Sequence, residues 1–370
     1  PRRRSASHSF ARERRRASFP MKFNLFLSAC GAASYYFREQ ISHSTWITAG
    51  CFFLVGANVL VNEFFLGGSR KYYGKTHDCT GDVVLITGGN KGIGFETAKE
   101  LAKFGAQIII ACRSERRAST AVRSIRSYSK NDNVSYEILD LESLKSVHDL
   151  VDRLTKKKIQ IRYLINNAGV AIEKSTTIDG FNSQFQINHL SHFLLTNLLL
   201  KRNMITDNGR IISLSSLAHG VGGADIHLDD LNSTRSWKRL KMYGNTKLMN
   251  IVFTNELSRK LLRIGSKITA NSVHPGAIDT DFSEHVVPNP WIRWLTRPIA
   301  ILLTDPPVLG AQSTLFAALS PDLETKSGVY IDNCKVKRPV GKAQNIPKHY
   351  KLMEDFWEVS AKFVGQSNVI

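Results

Sequence analysis

The sequence predicts an α/β domain built on a single doubly wound parallel sheet, preceded by an N-terminal membrane segment. Three observations predict it. Short β-branched apolar runs alternate with helical stretches between about residues 83 and 273, the pattern of parallel strands joined by crossover helices. The first run, 83–87 (VVLIT), is followed at once by Gly88, Gly89, Gly92 and Gly94. Ahead of both lies 46–66 (WITAGCFFLVGANVLVNEFFL), 21 predominantly apolar residues, about the length that spans a bilayer.

Composition fits that outline. A chain of 370 residues holds one large α/β domain of about 250 residues with room for appendages. Hydrophobic residues at 42% and charged residues at 22% exclude a disordered or fibrous chain, and 25 Gly with 11 Pro are too few for low complexity. The five cysteines (30, 51, 79, 112 and 334) are scattered, odd in number and contain no CxxC pair, which argues against a disulfide framework or a Cys-based zinc site. The eleven histidines show no ligand spacing such as HExxH, so no metal is expected. The net charge is +19, of which residues 1–20 carry +6. A basic excess favours anionic partners: nucleic acid, anionic lipid or a phosphorylated cofactor.

Residues 1–20 are Arg/Ser-rich without an apolar period and read as a basic tail, or as sequence not native to the protein. Residues 21–75 form the anchoring region, with the span at about 46–66. Its polar members are Asn58, Asn62 and Glu63, the last near the end, where a carboxylate reaches the interface. The shorter apolar stretch 24–37 would make a hairpin or re-entrant anchor with it; a signal peptide and a buried core helix are the competing readings. The catalytic domain spans 80–335, and 336–370 is a C-terminal extension. Within the domain, strands are expected at 83–87, 107–111, 134–139, 162–166, 210–214 and 267–273. Helices are expected at about 95–104, 142–156, 182–203 and 242–264. In such a sheet the ligand lies at the carboxyl ends of the strands.

The glycines follow a strand and open a helix, the context that a dinucleotide needs. They let the turn close and let backbone N–H groups approach a pyrophosphate, and the helix N-terminus adds a favourable dipole. The second strand ends at Cys112-Arg113, where NAD-binding units carry an acid for the ribose 2′-hydroxyl. Arg113, with Lys91 inside the turn, suits a 2′-phosphate and hence NADP(H); Glu115 nearby counts against it, and plain surface charge is the alternative. Tyr243 and Lys247 stand four apart and share a helix face. A nearby ammonium is expected to lower the Tyr243 pKa, making the phenol an acid/base. Ser216 ends a strand segment, where its hydroxyl can meet a substrate oxygen.

Together these residues resemble the short-chain dehydrogenase/reductase family, a Rossmann-type fold. TGGNKGIG (87–94), NNAG (166–169), the Ser216, Tyr243 and Lys247 set, and HPGAIDT (274–280) match its motifs in order over about 80–335. FQINHLSHFLLTNLLL (185–200), RIISLSSLAH (210–219), GAQSTLFAAL (310–319), SGVYIDNC (327–334) and FWEVS (356–360) are similar to its retinol dehydrogenase-like branch. The resemblance implies that Tyr243 is the general acid or base, Lys247 holds the nicotinamide ribose, Ser216 polarises the carbonyl and Asn188 anchors a proton-relay water. It implies cofactor contacts from Thr87, Gly88, Asn90, Lys91, Gly92, Ile93 and Gly94, and from Asn167 and Ala168. Asp140 would take the adenine amino group, though it could equally cap the next helix. Ile278 and Thr280 would hold the carboxamide, and Tyr243 and Lys247 also touch the cofactor.

The expected function is a membrane-anchored NADP(H)-dependent oxidoreductase for a lipophilic alcohol or carbonyl: retinoid, sterol, polyprenol or lipid aldehyde. A catalytically silent NADP(H)-binding scaffold or sensor is the competing class, and the complete Asn188, Ser216, Tyr243 and Lys247 set argues against it. Residues 287–303, with Trp291, Trp294, Arg293 and Arg297, read equally as substrate lid, membrane contact or core helix. Expected partners are the lipophilic substrate, a membrane and, as an option, further copies of the chain; no nucleic-acid motif accompanies the basic residues. The expected location is the endoplasmic reticulum membrane, with the catalytic domain in the cytosol.

Overall fold

A computed structural model of the chain describes residues 77–220, 223–276, 278 and 306–366. The basic tail, the 24–37 and 46–66 stretches, the 287–303 segment and Thr280 lie outside the described residues. Among the described residues, no helix is long and apolar enough to cross a membrane.

Eight strands form one sheet in the order β3-β2-β1-β4-β5-β6-β7-β8. They are β1 (Val83–Thr87), β2 (Gln107–Cys112), β3 (Val134–Ile138), β4 (Ile161–Asn166), β5 (Ile205–Leu214), β6 (Thr269–His274), β7 (Tyr330–Asp332) and β8 (Lys335–Lys337). The first seven are parallel, and β8 returns antiparallel to β7 at the edge. The order reverses between β1 and β4, so the crevice for a ligand opens beyond their carboxyl ends.

Both faces of the sheet are covered, which is why its central strands read as unbroken apolar runs. Leu85, Ile109, Leu164 and Ile211 point into one apolar cluster. Their neighbours Val84, Ile86, Ile108, Ile110, Ile165 and Ile212 point into a second. The second cluster is closed by α1 (Gly92–Lys103), α2 (Glu115–Ser129) and α6 (Pro307–Leu319). The first is closed by α3 (Leu144–Lys156), α4 (Ser191–Lys201), α5 (Arg239–Arg263) and α7 (Tyr350–Phe363). Each fully buried Leu, Ile or Phe stabilises the fold by about 1.5–3 kcal/mol.

Several elements depart from the sequence expectation. Helix α1 begins at Gly92 rather than Phe95, so the turn glycines join its first turn. The helix expected over 182–203 forms over 183–201 but is not regular: a first turn, Ser183–Phe185, runs into a π-turn, Gln186–Leu190, which continues into α4 without a break. Helix α2 was not foreseen; its N-cap is Ser114, whose hydroxyl accepts from Arg117 N. Beyond residue 303 no helix or strand was expected, yet α6, β7, β8 and α7 follow. Helix α7 packs Trp357 on Phe253 of α5, ring centroids 5.7 Å apart, and edge-on to Phe193 of α4 at 4.9 Å.

Candidate active site

The glycine turn after β1 is built around one side-chain amide. Asn167, just past β4, donates through Nδ2 to the carbonyls of Thr87 (2.7 Å) and Gly88 (3.4 Å). Thr87, the last residue of β1, answers through Oγ1, which accepts from Asn167 N and Ala168 N at 3.0 Å each. Gly94 faces this knot. A Cβ there would lie 2.8 Å from the Gly88 oxygen and closer still to the Asn167 amide, so any larger residue would break the turn.

Asn90 and Lys91 lie in the turn, and Gly92, Ile93 and Gly94 form the first turn of α1. Lys91 occupies the N-cap without a side-chain hydrogen bond to the first N–H groups of the helix. A helix start left without a side-chain acceptor offers its N–H groups and positive dipole end to an anion. The residues therefore fit a dinucleotide pyrophosphate. Ile278 lies beyond β6 beside Ile93, with Gly310 of α6 touching both.

Two other cofactor candidates have partners within the chain. Arg113, exposed after β2, pairs with Glu142 at 2.9 Å. Glu115, the acid expected to interfere, accepts instead from the Tyr136 hydroxyl at 2.9 Å. Asp140 does not cap α3: Ser143 does, accepting from Ser146 N. The Asp140 carboxylate closes a local turn by accepting from Glu142 N at 3.0 Å.

The catalytic candidates converge from three elements. Ser216 follows β5, and Tyr243 and Lys247 lie one turn apart on α5. Ser216 Oγ accepts from Ala218 N at 3.3 Å and hydrogen-bonds the Tyr243 hydroxyl. Lys247 is buried, lies with Nζ 5.5 Å from the Tyr243 ring centroid and donates to the Leu214 carbonyl at 3.0 Å. Asn188 sits in the π-turn. Its Oδ1 accepts from Val170 N at 2.7 Å, and its Nδ2 donates to Val170 O at 2.8 Å and to Thr246 Oγ1 at 3.0 Å. Asn188 thus pins the π-turn to the α5 residue next to Lys247. Gly169 lies between them: a Cβ there would meet Lys247 Nζ at 3.0 Å and Asn188 Oδ1 at 3.4 Å.

The electrostatics differ from the expectation in one respect. Loss of water pushes Tyr243 up to about 12, with the Ser216 hydrogen bond pulling the other way. Lys247 does not lower it; burial instead pushes Lys247 down to about 8. Low-dielectric surroundings disfavour each charged form, and that outweighs the lysine–tyrosine attraction at this separation. At neutral pH Tyr243 therefore carries its proton and Lys247 its charge. Such a pair can donate a proton to a carbonyl oxygen.

Two residues of the network escaped the sequence reading. Thr246 orients Asn188, and His192 reaches both Thr87 and Asn188. His192 stands four residues after Asn188, the one spacing that hinted at a shared face. Among the described residues, no cluster of His, Cys, Asp and Glu could hold a metal ion.

A family model described as short chain dehydrogenase matches residues 82–291. The chain is 39% identical to human retinol dehydrogenase 13 over 316 residues, which is 84% of this chain and 92% of that protein. It is 36% identical to human polyprenol dehydrogenase over 295 residues, 78% of this chain and 86% of that protein. A crystal structure of an uncharacterized protein from Mycobacterium paratuberculosis superposes with a TM-score of 0.63 at 32% identity, over 79% of this chain and 96% of that one. Actinorhodin polyketide ketoreductase with NADPH shares the fold, with a TM-score of 0.51 at 20% identity over 72% of this chain and 97% of that one. With its glycine turn, its Ser–Tyr–Lys set and relatives this near, the chain belongs to the short-chain dehydrogenase/reductase family, in its retinol dehydrogenase-like branch.

Proposed function

We propose that this oxidoreductase is membrane-anchored and NADP(H)-dependent, and that it acts on a lipophilic alcohol or carbonyl of retinoid, sterol, polyprenol or lipid-aldehyde type. The observation that carries the chemistry is the Ser216–Tyr243 hydrogen bond with Lys247 behind it on the same helix face. A bound nicotinamide supplies or accepts the hydride. The protein supplies the rest. Ser216, hydrogen-bonded to the Tyr243 hydroxyl, would polarise the substrate carbonyl beside the phenol hydrogen. Tyr243 is the general acid in reduction and, by microscopic reversibility, the base in oxidation. Lys247 and Asn188 would return the proton from solvent. Thr87, Asn167 and the first turn of α1 hold the cofactor against this group.

The phosphate preference rests on Arg113 and Lys91. The Arg113–Glu142 pair is solvent-exposed, with Arg113 at 68% of its full exposure, and such pairs contribute only about 0–1 kcal/mol. A 2′-phosphate carries more charge than Glu142 and can replace it. Asp140 would take the adenine edge, and Ile278 with Thr280 the carboxamide. The substrate class follows what the relatives' names say of them, retinol and polyprenol. The anchor follows from the apolar run 46–66. The intact Ser216–Tyr243 pair weighs against a silent scaffold.

The test is a panel of retinoid, steroid, polyprenol and aldehyde substrates with NADP(H) and NAD(H), run on detergent-solubilised protein. Turnover confined to lipophilic alcohols or carbonyls, with the phosphorylated cofactor preferred, supports the reading; no turnover of any of them sinks it. Asn133-Val-Ser and Asn232-Ser-Thr are glycosylation sequons in the catalytic domain. Expression from Met21 in a cell with an endoplasmic reticulum should leave both bare and the protein carbonate-resistant. An endoglycosidase-sensitive gel shift that depends on Asn133 and Asn232 would place the domain in the lumen.

A further inference from the structure

His192 touches both halves of the site, yet the chemistry above leaves it without a role. Its Nε2 lies 2.8 Å from Thr87 Oγ1, and its Nδ1 lies 3.3 Å from the Asn188 carbonyl. All three residues are buried: Thr87 and Asn188 are wholly inaccessible and His192 is 3% exposed.

The direction of each bond follows from the partners. A carbonyl only accepts, so Nδ1 must carry the hydrogen and donate to Asn188. In a neutral imidazole Nε2 then accepts, and the Thr87 hydroxyl is its donor. Thr87 Oγ1 in turn accepts from Asn167 N and Ala168 N, which fills its two lone pairs. Each group in the chain has one partner of the right kind, from the NNAG backbone through Thr87 and His192 to Asn188. The opposite tautomer would set the Nδ1 lone pair against the Asn188 oxygen. It would also leave the Thr87 hydrogen only the Ile165 carbonyl, 3.5 Å away, too far for a good bond.

The chain joins two parts that must hold register for catalysis. Thr87 and Asn167 shape the turn that receives the cofactor. Asn188 holds the π-turn against Thr246, next to Lys247. Ser191 N, at the start of α4, bonds to Gln186 O, five residues back, so the backbone there departs from the regular α-helical ladder. The His192 bonds add a side-chain tie across this irregular turn.

We propose that His192, with its hydrogen on Nδ1, is a positioning residue that ties the π-turn carrying Asn188 to the Thr87 hydroxyl beneath the cofactor turn. The proposal rests on reading the glycine turn as the nicotinamide-dinucleotide site. The two ends of the imidazole have separate consequences: the Thr87 end sets cofactor affinity and the Asn188 end sets proton delivery.

Two substitutions separate those ends. In His192→Asn the amide nitrogen takes the place of Nδ1 and keeps the bond to Asn188, while Thr87 loses its acceptor. In His192→Gln the longer amide takes the place of Nε2 and keeps Thr87, while the Asn188 bond is lost. His192→Phe removes both. The measurements are made on the full chain in detergent: fluorescence titration with NADPH and with NADH, turnover at saturating cofactor on the wild type's best panel substrate, and thermal unfolding. A lost buried hydrogen bond changes an equilibrium by about threefold to tenfold. His192→Asn should weaken the preferred cofactor by about that factor with turnover nearly kept. His192→Gln should lower turnover by that factor or more with affinity nearly kept, and His192→Phe should lose both. The proposal is overturned if affinity and turnover fall in parallel in both amide variants in step with the unfolding temperature, or if neither changes in His192→Phe. A wild-type chain that binds neither cofactor would instead fail the dinucleotide reading, and this proposal with it.

Discussion

Lys247 Nζ lies 5.5 Å from the centroid of the Tyr243 ring and donates to the Leu214 carbonyl at 3.0 Å. The ammonium is held by the backbone at the end of β5, within reach of the phenol and stripped of water. Burial pushes Lys247 down to about 8 from 10.5, so the native state gives up its proton before the unfolded chain does. Between about pH 8 and 10.5 the unfolded state binds more protons, and this residue's contribution to stability rises with pH. The contribution is complete above 10.5 and is lost as pH falls through 8. In urea titrations across that window, Lys247→Met should lack the rise seen in the parent. Equal pH slopes in the two proteins would show that Lys247 is not desolvated in solution.

Arg113 sets the second prediction. Arg113→Asp places a carboxylate where a 2′-phosphate is expected, repelling NADPH and accepting from the free 2′-hydroxyl of NADH. A charge-assisted hydrogen bond is worth about 1.5–3 kcal/mol, so NADPH should weaken about tenfold to a hundredfold. Paired cofactor titrations read this directly. A variant with unchanged preference, or a wild type that prefers NADH, removes Arg113 from the site.

The sheet and the placement of Tyr243 beside Lys247 were legible because their signals are local. Strands buried on both faces must be runs of apolar residues, and Tyr243 and Lys247 share a face at any four-residue helical spacing. What stayed hidden depends on tertiary partners. Helix α2 buries only the small stripe Ala118, Ala121, Val122 and Ile125, which Arg116, Arg117, Arg123 and Arg126 mask in sequence. The π-turn at Asn188 has no propensity of its own; Val170 and Thr246 hold it from elsewhere in the chain. Strands β7 and β8, three residues each, are too short to show a period. The Tyr243 shift was misjudged because the spacing shows the lysine but not the loss of water around both groups.

Acid sensitivity follows from two buried histidines in the helix beside the site. Burial pushes His189 down to about 3 and His192 down to about 4, from 6.5. Their contribution is complete above about pH 6.5 and is lost as pH falls toward those values, because the unfolded chain protonates first. Stability should therefore drop on going from pH 7 to 5, and His192→Gln should drop less steeply. An unchanged slope in the variant would show that His192 titrates normally in the folded protein.

Trp357 anchors α7 over α4 and α5, stacked on Phe253 and edge-on to Phe193, with Lys260 Nζ 5.1 Å from its ring. Trp357→Ala should cost about 3–5 kcal/mol of stability by denaturant unfolding. A loss below about 1 kcal/mol would mean that this helix is not part of the cooperative core.

The central claim is that Tyr243 delivers the proton, and Tyr243→Phe tests it most directly. The substitution keeps the ring packed against Lys247 and removes only the hydroxyl that Ser216 touches. General acid catalysis contributes about 10²–10⁴-fold, so single-turnover reduction at saturating cofactor should slow by about that factor while cofactor affinity stays near the parent value. A variant that keeps more than roughly a third of the parent rate, far above that range, would contradict the assignment of Tyr243 as the proton donor.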